Sequence, residues 1–359
     1  MVETRASDDQ IHVITSAYDH GCREPLDVPI NTWTGVGRAK VFYADTRSWH
    51  GRLSIVKCLR ASGARVLYLN SLFSYWFSIL PLLLVRLGLV HFDSVVVAPR
   101  GELDPGALRL KSPKKRAFLA VAKALKLYDD VTWHLSAELE AANLRAIFPT
   151  ARVLVKENET LVRGRSEADG EIRCMPVRFA YLGRVSRKKR VHLLIQAAAQ
   201  LPRGSYELLV FGGGDRDYIQ ECKDLSRKLG VPVNFSGPVL HDHVADLFDA
   251  ADFACFPTAG ENFGHVIAEA MARGCPVVVG DVTPWTKHVR AGGGVIVGAD
   301  GDPAAWAKVM MDLLVEDAAA RVERRRDALA SFEAWETRRP AGSFIDQLLT
   351  LPRGSSSDV

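Results

Sequence analysis

The chain has 359 residues, 48% hydrophobic and 25% charged, with 28 Gly and 17 Pro. That composition excludes a disordered chain, a collagen-like repeat and a polytopic membrane protein, and at roughly 150 residues per domain the length predicts two domains. Lys and Arg number 46 against 42 Asp and Glu, a net charge of +4, too small to point to nucleic acid. Cys22, Cys58, Cys174, Cys222, Cys255 and Cys275 stand singly, with no C-x-x-C pair. That argues against a zinc site or a disulfide framework and for a reducing compartment.

The first ten residues, MVETRASDDQ, have no apolar signal-peptide core, so secretion is not expected. Strands are predicted at 11–15, 40–44, 64–69, 93–99, 131–135 and 151–155, with helices around 49–62, 72–87, 113–126 and 136–148. Pro113 suits a first helical turn, and Ser136 is placed to cap the helix that follows it. The apolar run Leu72–Val90 is long enough to span a bilayer. It contains Pro81 and Arg86 and follows a polar segment, which favours a buried helix of a parallel-sheet domain; a true transmembrane span and a membrane-surface helix are the other readings.

From Arg178 the alternation is regular. Strands at 178–183, 206–212, 233–236, 252–256, 276–280 and 294–297 are separated by helices at 191–201, 217–230, 241–251, 263–274 and 302–314. Continuous apolar strands joined by helical crossovers mean a parallel sheet covered on both faces. The fold class is therefore α/β. An amino-terminal domain over 1–158, a polar linker over 159–174, a carboxyl-terminal domain over 175–329 and a final helix over 330–351 are expected, with the last residues frayed. Ligands of such sheets bind at the carboxyl ends of strands, against helix amino termini.

Three segments at those ends carry chemistry. Glu261 falls in the loop after the strand at 252–256, and Glu269 lies in the next helix, with Asn262 to His265 supplying unpaired amides at its start. Those amides favour a phosphate, and a carboxylate beside a phosphate is at home when it binds sugar hydroxyls. Two lone glutamates would otherwise be a cap and a surface residue. Gly183-Arg184 ends the first strand of the second domain, and Arg187, Lys188, Lys189 and Arg190 follow, a layout suited to a diphosphate. A basic run by itself is usually a solvated face. A glycine loop, Phe211-Gly212-Gly213-Gly214, ends the second strand.

Taken together, Gly183-Arg184 with Lys189, the glycine loop, and Glu261-x7-Glu269 around Asn262-Phe263-Gly264 resemble the retaining nucleotide-sugar glycosyltransferases of family 4. The resemblance covers about 175–315, and the block 99–116 resembles bacterial members that build surface polysaccharides. It implies the GT-B architecture, two Rossmann-like domains facing a cleft. It also implies that Arg184 and Lys189 hold the donor diphosphate and stabilise the leaving group, and that Glu261 meets the donor sugar near the reacting carbon. By the same resemblance Glu269 binds the ribose, and Gly183, Gly213, Asn262, Phe263 and Gly264 complete the donor site. Arg190 stands where the family has a glycine. No metal or cofactor is implied, since cations and a helix start take that role. The pairs Asp215/Asp217 and Asp300/Asp302 precede helices and read as caps.

Family members open with a strand, glycine loop and helix; this chain starts on what resembles their next strand, with Gly35-x-Gly37 a poor substitute, so the expectation is either a shortened amino domain or a chain that lacks part of its natural start. There Arg100, after the strand at 93–99, is the acceptor-side candidate, with a structural salt bridge as its alternative. The cluster Lys111–Arg116 reads either as a solvated face or as a peripheral contact with anionic lipid or a lipid-diphosphate acceptor. The implied reaction is sugar transfer from a nucleotide-sugar to a glycan or lipid-linked acceptor, with retention, at the cytoplasmic face of the membrane. A non-catalytic nucleotide-sugar-binding subunit and a nucleotide-sugar epimerase of the same fold are the rivals. Gly212 to Asp217 lacks the third glycine of a dinucleotide fingerprint, and no Walker A sequence occurs.

Overall fold

The structure, a computed structural model, describes residues 10–19, 23–104, 108, 112–157, 176–298, 301–338 and 344–350. The chain divides into two compact units, Met1–Asn158 with Ala341–Val359, and Glu159–Pro340. Cys22, Cys174, Lys111 and Asp300 lie outside the described residues, as does the expected linker 159–174.

In the first unit β1 (Ile11–Ser16) runs parallel to β3 (Ala39–Ala44), whose other edge pairs antiparallel with β2 (Trp33–Val36). Strand β2 was not expected. Gly35 lies within it and Gly37, at φ 55°, makes the tight turn into β3, so Gly35-x-Gly37 is a hairpin and not a substitute glycine loop. Helix α1 (Trp49–Ala61) is capped by Ser48, whose hydroxyl accepts from Gly51 N at 3.0 Å. A separate sheet holds β4 (Val66–Leu69), β5 (Ser94–Val97), β6 (Thr132–Leu135) and β7 (Arg152–Val155), parallel and in that order.

The apolar run between β4 and β5 forms a π-turn over Tyr75–Ile79 and then α2 (Leu80–Arg86), with Leu72, Leu82, Leu84 and Val90 in the core. This is the buried-helix reading, in a shorter form. Among the described residues no helix is long and apolar enough to cross a membrane. Helices α3 (Ser112–Ala124) and α4 (Glu138–Ile147) complete the layer. Pro113 sits in the first turn of α3 as expected. Ser136 does not cap α4. The N-cap is Ala137, and Ser136 donates both N and Oγ to Glu140 Oε2, at 2.9 and 3.0 Å. The buried Glu140 also accepts from Gly101 N at 2.7 Å.

The second unit is one six-stranded parallel sheet. Its strands are β8 (Val177–Leu182), β9 (Tyr206–Phe211), β10 (Val233–Gly237), β11 (Phe253–Phe256), β12 (Val277–Gly280) and β13 (Gly294–Val297). They lie in the order β10-β9-β8-β11-β12-β13, the doubly wound 3-2-1-4-5-6 arrangement. Every residue of β11 and β12 is buried, and none is charged, as a sheet covered on both faces requires. The covering helices are α5 (Val191–Ala198), α6 (Arg216–Leu229), α7 (Val244–Ala250), α8 (His265–Ala272), α9 (Thr286–Arg290), α10 (Pro303–Leu314) and α11 (Ala318–Arg338). Cys255 and Cys275 are buried free thiols, and burial pushes both pKa values up. The single helix expected over 330–351 is instead the end of α11 and a separate α12 (Phe344–Leu349) that packs in the first unit against Val96 and Tyr68.

Candidate active site

Strand order in the second unit reverses between β8 and β11, and the loops leaving these two strands diverge there. After β8 come Gly183, Arg184 and a 3-10 turn over Arg187–Lys189; after β11 comes Pro257 to Gly264, leading into α8. The two loops are tied together four times. Ala259 N donates to Lys188 O at 2.8 Å, Arg190 Nε to Pro257 O at 2.7 Å and Arg190 Nη2 to Thr258 O at 3.0 Å. The fourth tie is an ion pair between Lys189 Nζ and Glu261 Oε1. Lys189 and Glu261, 72 positions apart in sequence, thus share one partly buried pair.

Arg190 explains its own departure from glycine. Its backbone is left-handed, at φ 52°, where glycine is the usual occupant. The guanidinium offsets that strain by donating to two carbonyls of the facing loop. Arg184 is exposed, and among the described residues its guanidinium has no partner; its carbonyl accepts from the buried Tyr181 hydroxyl at 2.9 Å, which fixes the Gly183 turn.

The glycine loop serves packing first. A Cβ on Gly212 would meet Gly183 O at 2.0 Å and one on Gly214 would meet Val185 O at 2.1 Å, whereas at Gly213 the nearest atom is Pro238 Cγ at 3.4 Å. Val185 N donates to Gly213 O at 2.9 Å and Asp215 N to Val185 O at 3.0 Å, so the loops after β8 and β9 continue the sheet past its end. Asp215 then caps α6 by accepting from Asp217 N and Tyr218 N, and Asp302 caps α10 by accepting from Ala305 N.

At the start of α8, Gly264 is left-handed at φ 81°, with Ile267 Cδ1 3.0 Å from where a Cβ would stand. Phe263 is buried, its ring against Trp285 and Trp335 and its carbonyl accepting from Trp285 Nε1 at 2.7 Å. Among the described residues the amides of Phe263 and Gly264 have no protein acceptor, which is the helix-start arrangement that attracts an anion. Asn262 is half-buried beside them, and His265, four residues before Glu269, packs its ring against Phe263 at 4.8 Å. Glu269 is half-buried in α8; burial raises its carboxyl pKa, and the charge of His241 acts the other way. Sequence reasoning missed the Arg190 clamp and the Trp285 tether. Arg190 was visible as a departure, but no local signal joins Trp285 to Phe263 across 22 residues.

Arg100 lies in the first unit. There Nε donates to Asn70 Oδ1 at 2.6 Å and Nη2 to the Tyr68 hydroxyl at 2.8 Å.

Comparison with known proteins bears on the second unit. Residues 163–328 match the family described as glycosyl transferases group 1. A D-inositol 3-phosphate glycosyltransferase 1 of Catenulispora acidiphila is 34% identical over 188 residues, which is 49% of this chain and 43% of that protein. The chain spans less than half the length of the curated relatives it matches, 34% for the enzyme of Corynebacterium urealyticum. Sucrose-phosphate synthase of Thermosynechococcus elongatus superposes with a TM-score of 0.74 at 20% identity, covering 91% of this chain and 85% of the other. The fold is therefore that of GT-B proteins, α/β with two Rossmann-like units, as the resemblance implied.

Proposed function

We propose that the chain transfers a sugar from a nucleotide-sugar donor to a glycan or lipid-linked acceptor, with retention of configuration and without a metal, on the cytoplasmic side of polysaccharide or glycolipid assembly. The observation that carries this reading is the Lys189–Glu261 pair at the strand-order reversal, beside the free amides of Phe263 and Gly264. The donor diphosphate takes those amides and exchanges Glu261 for itself as the partner of Lys189, while the unpartnered Arg184 adds a second cation. Glu261, released, accepts hydroxyls of the donor sugar, and Glu269 accepts the ribose diol. As the bond from the anomeric carbon to the diphosphate breaks, negative charge grows on the phosphate, where Arg184, Lys189 and the helix start stabilise it. The acceptor oxygen bonds the anomeric carbon on the face the diphosphate leaves, and its proton passes to the departing phosphate oxygen. Four buried free cysteines among the described residues suit a reducing compartment.

The test is a thermal-shift screen against UDP, GDP, ADP and dTDP with Lys189→Ala alongside. A ligand at about 100 times its Kd stabilises by about 2.7 kcal/mol, a shift of a few degrees. One nucleotide is expected to shift the wild type and not the variant, in EDTA as well as without it. The nucleotide-sugar so identified should then be consumed only with an acceptor, and the anomeric configuration of the product is read by NMR. No shift with any nucleotide sinks the donor site; binding without turnover sinks the catalytic reading.

A further inference from the structure

The carbonyl of Phe263 and the amide of Gly264 belong to one planar trans peptide, so they point in opposite directions. Rotating that plane by about half a turn exchanges the two and carries φ of Gly264 from positive to negative values, both of which a glycine adopts readily. Glycine at 264 therefore leaves the orientation of this peptide open, and a neighbour has to choose it. In the structure φ of Gly264 is 81° and ψ is 54°. The carbonyl points into the core, where the indole N–H of Trp285 donates to it at 2.7 Å. The amide therefore points away from the core, and among the described residues no protein atom accepts from it. Trp285 follows β12, the strand beside β11, and is itself firmly held. It is buried, and its ring lies 5.6, 4.7 and 5.5 Å from those of Phe263, Trp335 and His288. Its Cδ1 stands 3.4 Å from where a Cβ on Gly264 would be, so the indole covers the inner side of the peptide. Any large ring at 285 would meet the need for packing. The N–H alone reads the orientation, because against the turned-over peptide it would face another donor and lose its acceptor.

We propose that Trp285 is a positioning residue for the donor diphosphate: its indole N–H holds the Phe263–Gly264 peptide with the amide outward, so the anion-binding helix start is assembled before the ligand arrives. This rests on the donor-site reading above and adds to it a residue that touches no ligand atom. The bond to the carbonyl also polarises the peptide, which makes the amide on its other side a stronger donor to phosphate. A peptide already in its binding orientation loses no affinity to being turned over when the diphosphate binds. Only the phosphates meet this peptide, so the base and ribose should bind equally well with the tether and without it.

Trp285→Phe keeps a ring and removes the N–H. Replacing Trp285 with benzothienylalanine, which has sulfur where the indole has N–H, keeps the whole outline of the ring and serves if the smaller phenylalanine unfolds the protein. The full chain and both variants are titrated calorimetrically with the nucleoside diphosphate that raises the wild-type thermal transition, and by NMR with the matching nucleoside. The diphosphate Kd is expected to rise about tenfold in both variants, while the nucleoside Kd stays within about twofold of the wild type. Wild-type diphosphate affinity in the benzothienylalanine protein overturns the tether. So does an equal loss for diphosphate and nucleoside, which is what a general loosening of the core would produce. A wild type that binds no nucleoside diphosphate at all overturns the donor site itself, and the tether with it.

Discussion

Arg190 is where a single side chain does two opposed things. A left-handed arginine costs about 1 kcal/mol relative to glycine. Its two bonds to Pro257 O and Thr258 O hold the loop that carries Glu261 against the loop that carries Lys189. Arg190→Gly relaxes the backbone and removes both donors. Global stability should therefore change by less than about 1 kcal/mol, because strain relief offsets lost hydrogen bonds. Nucleoside diphosphate affinity should fall by about tenfold, because the Glu261 loop loses its clamp. Arg190→Lys, with one donor head, should fall between. Calorimetric titration beside thermal unfolding separates the two effects, and unchanged affinity in Arg190→Gly would refute the clamp. At this scale the sequence was partly legible. Glu261 and Glu269 stand at a strand end and a helix start that the sequence marks, while Lys189 is singled out from its three neighbouring cations only by the family resemblance. The role of Arg190 could not be read, because its acceptors are carbonyls 67 and 68 positions away, which carry no side-chain signature.

The elements were more legible than the contacts between them. Strands β8 to β13 fall within a residue or two of their apolar runs because a doubly covered parallel strand must be apolar on both faces. Strand β2 has no such run. It is an exposed antiparallel edge with Gly35 inside it, and pairing rather than burial makes it a strand. The glycine loop shows the same contrast, since all three glycines look equivalent in sequence. Gly214→Ala would place a methyl 2.1 Å from Val185 O and force the loops after β8 and β9 apart. That should cost about 2–3 kcal/mol and weaken nucleotide binding. Gly213→Ala, with 3.4 Å to Pro238 Cγ, should cost less than about 1 kcal/mol. Urea denaturation of the two variants tests the ordering; equal losses would mean that the close approach at Val185 is not what requires glycine.

On the scale of the whole molecule, the first unit is completed by a segment from the far end of the chain. Phe344 of α12 is buried, stacks on His134 at 4.0 Å between ring centres and meets Tyr68 edge-on at 5.9 Å. Beneath it His134 is locked into one tautomer. Nε2 lies 2.9 Å from Lys156 O, an acceptor only, so Nε2 carries the proton and Nδ1 accepts from the Tyr68 hydroxyl at 2.6 Å. Burial, with help from Arg100 and Lys156, holds the His134 pKa down to about 4. An unfolded histidine titrates near 6.5, so between that value and about 4 the unfolded chain binds a proton that the folded chain refuses. Stability therefore falls as pH drops through this window and levels off below it, by at most about 3 kcal/mol from this group. Phe344→Ala should cost about 3–5 kcal/mol near neutral pH through the lost ring. It should also shrink the acid-side loss, because water reaching the imidazole returns its pKa toward the ordinary value. Urea midpoints measured from pH 7.5 down to pH 4 give both quantities, with His134→Gln marking the part of the slope that belongs to the imidazole. A Phe344→Ala variant that is less stable throughout yet keeps the full acid slope would show that the ring adds packing alone and does not set the surroundings of His134.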